Sequence, residues 1–572
     1  MVVVLCALSA SAKKPPPAPP PLEEVAGQLV GGALTSDVAW DGLEHLTTQI
    51  GNRIVGSPEL DQAIAWGADE LRRQGLVDVH TEPVTLPSWT RGTLSVTVTA
   101  PRERAIQGLS LGDSVGTGPE GLDASVVVVS TFDELDALPD EQVKGHVVVW
   151  DAPFTDYGET VAYRFAGASA ASRRGAVASL VRSIGPSSLY TAHTGAQRYD
   201  DDVTPIPAVA IPLEDAAWLH RLQDQGKTAR IRIASTASPA GDVQSANVVG
   251  DVRGRSLPDE VVVLGCHIDS WDVGEGAQDD GAGCVQAIGA AALIAKQPVP
   301  PRRTVRVVLY TGEESGGHGG DAYAEAHAGE PHFAAIESDT GSGRPLGFHV
   351  DVRPPGDAEH ESEPDPARIA KAVAAVQPAA RALAVVGATV LEQGYAGTDI
   401  HPLIDRGVPG FGLTHDTTGY WPIHHTSGRH ARQGRPCRAR RRSGGDGGAG
   451  VDARGARRPA AARGHGGGPG GARRQGPRPL TILPPHPREC ATGCAHCSAE
   501  GACDVLGGRS PQRVGSGCGS SAARARRAMA SPVTTRRPTT QPTTPRRARP
   551  TIPRPPPSSP PPAKQAPAPS RR

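Results

Sequence analysis

Three short apolar runs, each ending on ionisable side chains, constrain this chain more than any other feature. Glu260–Gly265 (EVVVLG) leads into His267 and Asp269, Thr304–Tyr310 (TVRVVLY) into Glu313 and Glu314, and His332–Ile336 (HFAAI) into Asp339. Runs of this length without polar alternation fit strands buried on both faces, as in a parallel sheet covered by helices. Groups that follow neighbouring strands of such a sheet converge on one crevice at its carboxyl ends. The expected fold class is therefore α/β, with a mixed, mainly parallel sheet flanked by helices.

The donors that would meet in that crevice suit metal ions. Zinc accepts imidazole nitrogen and carboxylate oxygen, and two ions held roughly 3.5–4 Å apart need a carboxylate between them. His267 and Asp339 are assigned to one ion, Glu314 and His425 to the other, and Asp279 to the bridge. Asp269, two residues beyond His267, is expected to orient that imidazole. Glu313 is left to take a proton from the attacking water and hand it to the leaving amine. A lone His or Asp would usually be a surface or core residue, and the joint pattern carries the reading here.

The stretches HIDSWDVGEGAQDDGAG (His267–Gly283), TGEES (Thr311–Ser315), IESD (Ile336–Asp339), GTDI (Gly397–Ile400) and HHT (His424–Thr426) resemble the co-catalytic zinc aminopeptidase and carboxypeptidase family. So do GSPELDQAIAW (Gly56–Trp66), RSIGPSSLYTAHTGAQRYDD (Arg182–Asp201) and IPAVAI (Ile206–Ile211). The resemblance runs from about Leu46 to Thr426 and implies a zinc exopeptidase fold, two zinc ions, short peptide substrates with free termini, and a homodimer. Dipeptides are the expected substrates. A catalytically dead peptidase scaffold that only binds is the contrasting reading, and relatives with a single zinc are disfavoured because His267 and Asp339 supply a second half-site.

The chain divides into five stretches. Residues 1–23 hold an apolar run, Val2–Ala12, that looks like a secretory signal lacking its basic start, and then a Pro-rich linker. A secreted or periplasmic protein is expected, and no other run is long enough to span a membrane. Residues 24–108 and 241–426 form the catalytic part. Within the first of these, Ser57-Pro58 starts a helix with Leu60, Ile64 and Leu71 on one face and Gly75 at its end. Residues 109–240, with short strands and a small-residue helix, resemble the family's protease-associated insert. Its Tyr190, His193 and Tyr199 are candidates for the substrate entrance, as is Asp399 in the GTDI loop. Cys266 and Cys284, the cysteines between leader and tail, read as small packing residues.

Residues 427–572 contain no Phe, Tyr or Trp and are expected to be a disordered tail without a core. Its Cys490, Cys494 and Cys497 and its Arg-rich runs are read as decoys, so no specific nucleic-acid partner is expected. A shifted reading frame accounts for the break. Taking the last two bases of each codon with the first of the next, Ser427–Pro436 can spell Ala-Asp-Asp-Thr-Leu-Asp-Lys-Val-Asp-Pro, which is how the family continues after HHT. Gly448–Arg454 in the same frame can spell an apolar helix. Resequencing the codons for His424–Ala456 is expected to reveal a missed or added base near Thr426; an unchanged frame would refute the frameshift.

Overall fold

The strand assignment rests on the valine-rich runs, and the computed structural model, which describes residues 20–356 and 362–427, arranges them as one eight-stranded sheet. Its strands are β1 (Val77–Thr90), β2 (Ser238–Val252), β3 (Leu257–His267), β4 (Arg303–Tyr310), β5 (His332–Glu337), β6 (Pro345–Asp351), β7 (Val390–Gln393) and β8 (Gly410–His415), in the spatial order β1-β2-β4-β3-β5-β8-β6-β7. The four central strands, β4, β3, β5 and β8, are mutually parallel. β1 and β2 pair antiparallel at one side, and β6 runs antiparallel to β8 at the other. Register is what aligns the crevice. His267 sits opposite Tyr310, so β3 and β4 end level, while Glu337 at the end of β5 sits opposite Gly265, two residues earlier; the parallel strands release their loops on the same side.

Helices cover both faces. Helix Pro58–Arg73 starts where Ser57 accepts a hydrogen bond from the Leu60 N–H, with Pro58 in its first turn. It buries Leu60, Ala63, Ile64, Ala68 and Leu71 against Val248 and Leu309 of the sheet and Ile268 just beyond β3. On the same side lies helix Ala282–Ala295, which is apolar nearly all round because the helix Val38–His45 closes over it. Helix Pro366–Ala382 and the turn to Val386 are long and apolar enough to cross a membrane by length and composition, contrary to the sequence expectation. The helix nevertheless carries Arg368, Lys371 and Arg381, and lays Ile369, Ala372, Val373 and Val376 on Phe348, Val350 and Leu391 of the sheet.

The long β1–β2 ribbon carries a second, inserted sheet of eight strands. Its centre is parallel: Leu122–Val129, Val147–Trp150, Ala178–Arg182 and Ala208–Ile211. The expected boundaries at 109 and 240 are corrected by its edge. Leu94–Ala100 pairs with Arg104–Ile106 on one side and with Arg230–Ser235 on the other, so these strands belong to the insert, which spans Leu94–Ser235. The cause is the alternation LSVTVTA, which turns Val96 and Val98 onto Ile231 and Ile233 and away from the catalytic core. At the other end, helix Leu22–Thr35 opens inside the stretch assigned to the linker. The leader-like run, the tail and its proposed frameshift lie outside the described residues, apart from Ser427.

Two substitutions separate packing from capping. Leu71→Ala, at a fully buried site, is expected to cost about 2–5 kcal/mol, and Ser57→Ala about 1 kcal/mol. Urea denaturation of the purified chain ranks them, and equal losses would refute this account of the helix.

Candidate metal centre

The crevice is built from loops that other side chains hold still. Arg53 is fully buried and donates to the carbonyls of Gly51, Ile268, Glu275 and Gly276, fixing the loop between β3 and Asp279. Asp279 and Asp280 follow, joined by a cis peptide bond. Asp280 accepts from the His267 N–H (3.2 Å) and the Gly283 N–H (2.9 Å), clamping the end of β3 to the start of helix Ala282–Ala295. Only glycine fits at 283, because a Cβ there would lie 1.9 Å from the Ser338 carbonyl. Asp269 lies beside His267, as expected, with its backbone carbonyl nearer the ring than its carboxylate. The contact to His267 Nδ1 at 3.2 Å is made by its backbone carbonyl, with the nearer carboxylate oxygen at 3.7 Å. Its carboxylate accepts from the N–H groups of Gly312, Glu313 and Glu314, pinning the loop that carries both glutamates.

The five expected ligands come together. His267 Nε2 lies 3.2 Å from Asp279 Oδ1 and 3.2 Å from Asp339 Oδ1. His425 Nε2 lies 3.3 Å from Asp279 Oδ2 and 3.1 Å from Glu314 Oε2. Asp279 thus divides its two oxygens between two imidazoles, each of which faces one further carboxylate. Donors roughly 2.0–2.2 Å from a tetrahedral ion stand about 3.3 Å from one another. The spacing and the donor types both fit two neighbouring divalent ions. Glu313 stands at the rim, Oε2 3.9 Å from His267 Nε2, with its side chain 16% exposed. Burial pushes its carboxyl up to about 8, with Asp339, Glu314 and Asp269 adding to the shift and His267 opposing it.

Four residues are expected to meet substrate, and their surroundings differ from one another. Tyr199 donates to the Ile206 carbonyl and packs in the insert's core. Tyr190 is partly exposed, beside Arg104 and Glu214. His193 is buried against the Ile184 carbonyl. Asp399 is buried too, its carboxyl held well above the usual range by burial and by Glu337 and Glu313.

Other residues were not anticipated. Beside the strand end, Glu337 accepts from the Ile400 N–H, and burial pushes its carboxyl up to about 8. His424 stacks on His425 at 3.8 Å, and burial holds its imidazole well below the ordinary histidine value. The insert reaches the centre through Thr194, one residue beyond His193. The Thr194 N–H donates to the His425 carbonyl (2.9 Å), and the Thr194 carbonyl accepts from His425 Nδ1 (3.0 Å), which leaves Nε2 facing the carboxylates. Arg164 lies against the same ring (3.3 Å to Nδ1) and donates to Thr194 O, Ala196 O and the Tyr157 hydroxyl. Gly195, at φ 137°, lets these groups close up, since a Cβ there would meet the Arg164 guanidinium at 2.3 Å. His425 itself holds φ 58°, an unusual backbone for a residue with a side chain. A cleft lined by Ile54, Trp89, Asp113 and Trp271 opens beside Asp269 and Glu314.

Comparison with known proteins agrees with this geometry. The sequence model described as Peptidase family M28 matches residues 247–435. Carboxypeptidase Q of Xenopus laevis is 39% identical over 394 residues, which is 68% of this chain and 80% of that protein. The Homo sapiens carboxypeptidase Q is 38% identical over 392 residues, 68% of this chain and 79% of that protein. Among solved structures, a peptidase M28 precursor from Shewanella amazonensis SB2B superposes with TM-score 0.67 at 33% identity, covering 72% of this chain and 92% of that one.

The hold of the insert on His425 is testable through metal affinity. Arg164→Gln is expected to release bound metal at about 10- to 100-fold lower chelator concentration, as loss of an outer-shell partner does. Arg164→Lys should recover part of the loss, since it keeps the charge without the fork of donors. An unshifted chelator titration in a folded Arg164→Gln protein would reduce the contact to domain packing.

Proposed function

Because the chain belongs to peptidase family M28, we propose that it is a zinc metallo-exopeptidase that hydrolyses short peptides, dipeptides with free termini foremost, in a secreted or periplasmic setting. The observation that carries the reading is Asp279, whose two oxygens face two separate imidazoles that each have a carboxylate of their own. His267, Asp339 and Asp279 would hold one zinc, and His425, Glu314 and Asp279 the other. When bound, the pair supplies Lewis acidity to the attacking water and the scissile carbonyl.

The protein's own groups do the rest. Glu313, at the rim of the crevice, takes the proton from the attacking water and returns it to the amine as the peptide bond breaks. Asp269 keeps Glu313 and Glu314 in place through the backbone of their shared loop. Trp89, Trp271 and Ile54 line one wall of the neighbouring cleft and exclude water from that side. A noncatalytic binding protein on this scaffold would keep the ligands while needing no Glu313.

Hydrolysis of unblocked dipeptides is therefore expected to stop on chelation and to return with zinc. Glu313→Gln should keep its metal and lose about 10²- to 10⁴-fold in kcat. Full activity of Glu313→Gln would overturn the mechanism, and a wild-type chain that holds metal yet cleaves no peptide would favour the binding protein. N-blocked and C-amidated dipeptides, assayed side by side, read which terminus the enzyme requires.

A further inference from the structure

We propose that Cys266 and Cys284 form a disulfide that ties the end of β3 to the first turn of helix Ala282–Ala295. They are the cysteines of the described residues, and both side chains are completely buried. Their positions come from opposite ends of the loop that carries His267, Asp269 and Asp279: Cys266 precedes His267, and Cys284 follows Gly283. Their sulfurs touch at 2.8 Å, closer than a packing contact between two thiols requires. The Cys284 thiol also reaches the His267 carbonyl at 3.1 Å, whereas the Cys266 thiol has only a distant carbonyl, Val308 O at 3.9 Å.

The backbone that brings them together is already fixed. Asp280 bonds both the His267 N–H and the Gly283 N–H, so the residues adjoining the two cysteines share one carboxylate. Bonding the sulfurs brings them from 2.8 Å to about 2.05 Å. Buried thiols react poorly, which places the oxidation before the helix docks on the sheet, in a compartment that supplies disulfides. One cysteine thiolate attacks a small-molecule or protein disulfide, releasing one thiolate. The second cysteine thiolate then attacks the mixed disulfide at the cysteine sulfur and releases the other. Two electrons pass from the pair to the oxidant, and the two thiol protons end on the two thiols released. The bond closes a loop around three groups of the centre, so its main effect is to limit how far that loop opens in the unfolded chain.

The test is independent of metal content and of peptide hydrolysis. The full chain holds nine cysteines, so a total thiol count cannot assign the bond and a peptide map is needed. Protein refolded with oxidised and reduced glutathione, and shown to unfold cooperatively, is denatured in an alkylating reagent without reductant, then digested and weighed. The expected result is a linked pair of peptides containing Cys266 and Cys284 that separates on reduction. Alkylated Cys266 and Cys284, or either joined to a different cysteine, overturns the proposal. A Cys266→Ala, Cys284→Ala double variant must lose the linked pair, and its persistence would show that the mass had been misassigned.

Discussion

The structure depends on how it tolerates crowded acid. Asp269, Asp279, Asp280, Glu314 and Glu337 are all buried near one another, with Glu313 and Asp339 at the rim. Isolated carboxylates in such a place would cost far more than hydrophobic burial returns. Two devices offset the cost. Asp269, Asp280 and Glu337 are each turned onto backbone N–H groups, six contacts in all, counting Gly312, Glu313 and Glu314 for Asp269, His267 and Gly283 for Asp280, and Ile400 for Glu337. Asp279, Glu314 and Asp339 are turned onto imidazoles, at spacings that leave room for cations. The first group is architectural and the second is chemical, and even neighbours in sequence, Asp280 and Asp279, fall on different sides of that division.

Most of the chemical group is legible in the sequence. A strand buried on both faces has to be an apolar run, and the residue after such a run lies at the crevice, so His267, Glu313, Glu314 and Asp339 announce themselves by position. The architectural group was less legible. Asp280 sits beside Asp279 in a DDG triplet, and nothing local says which aspartate faces the ligands and which faces the backbone. Asp269 is a legible neighbour of the imidazole because the two are close in sequence, while the loop of Gly312–Glu314 arrives from another strand to bond its carboxylate.

Long-range contacts marked the limit. Thr194 and His425 are 231 positions apart, and Arg164 and His425 are 261 apart, with no periodicity or motif to connect them. The sequence directs attention to this loop of the insert through His193, a candidate for the substrate entrance and the neighbour of Thr194. Thr194 acts through its backbone, which composition cannot advertise. The early start of the insert was missed for a related reason. LSVTVTA reads as an ordinary strand, and only the choice of partner, Arg230–Ser235, decides which sheet owns it.

The bond between Thr194 and His425 has a consequence for the life of the molecule before it is finished. On the proposed reading, the last donor of the centre arrives more than 150 residues after the first, counted from His267 to His425, and is held by a loop of the inserted sheet. Neither the catalytic strands alone nor the insert alone makes a working cutter. A chain still being made therefore lacks one donor of that proposed centre until its residues near 425 have emerged and met the insert.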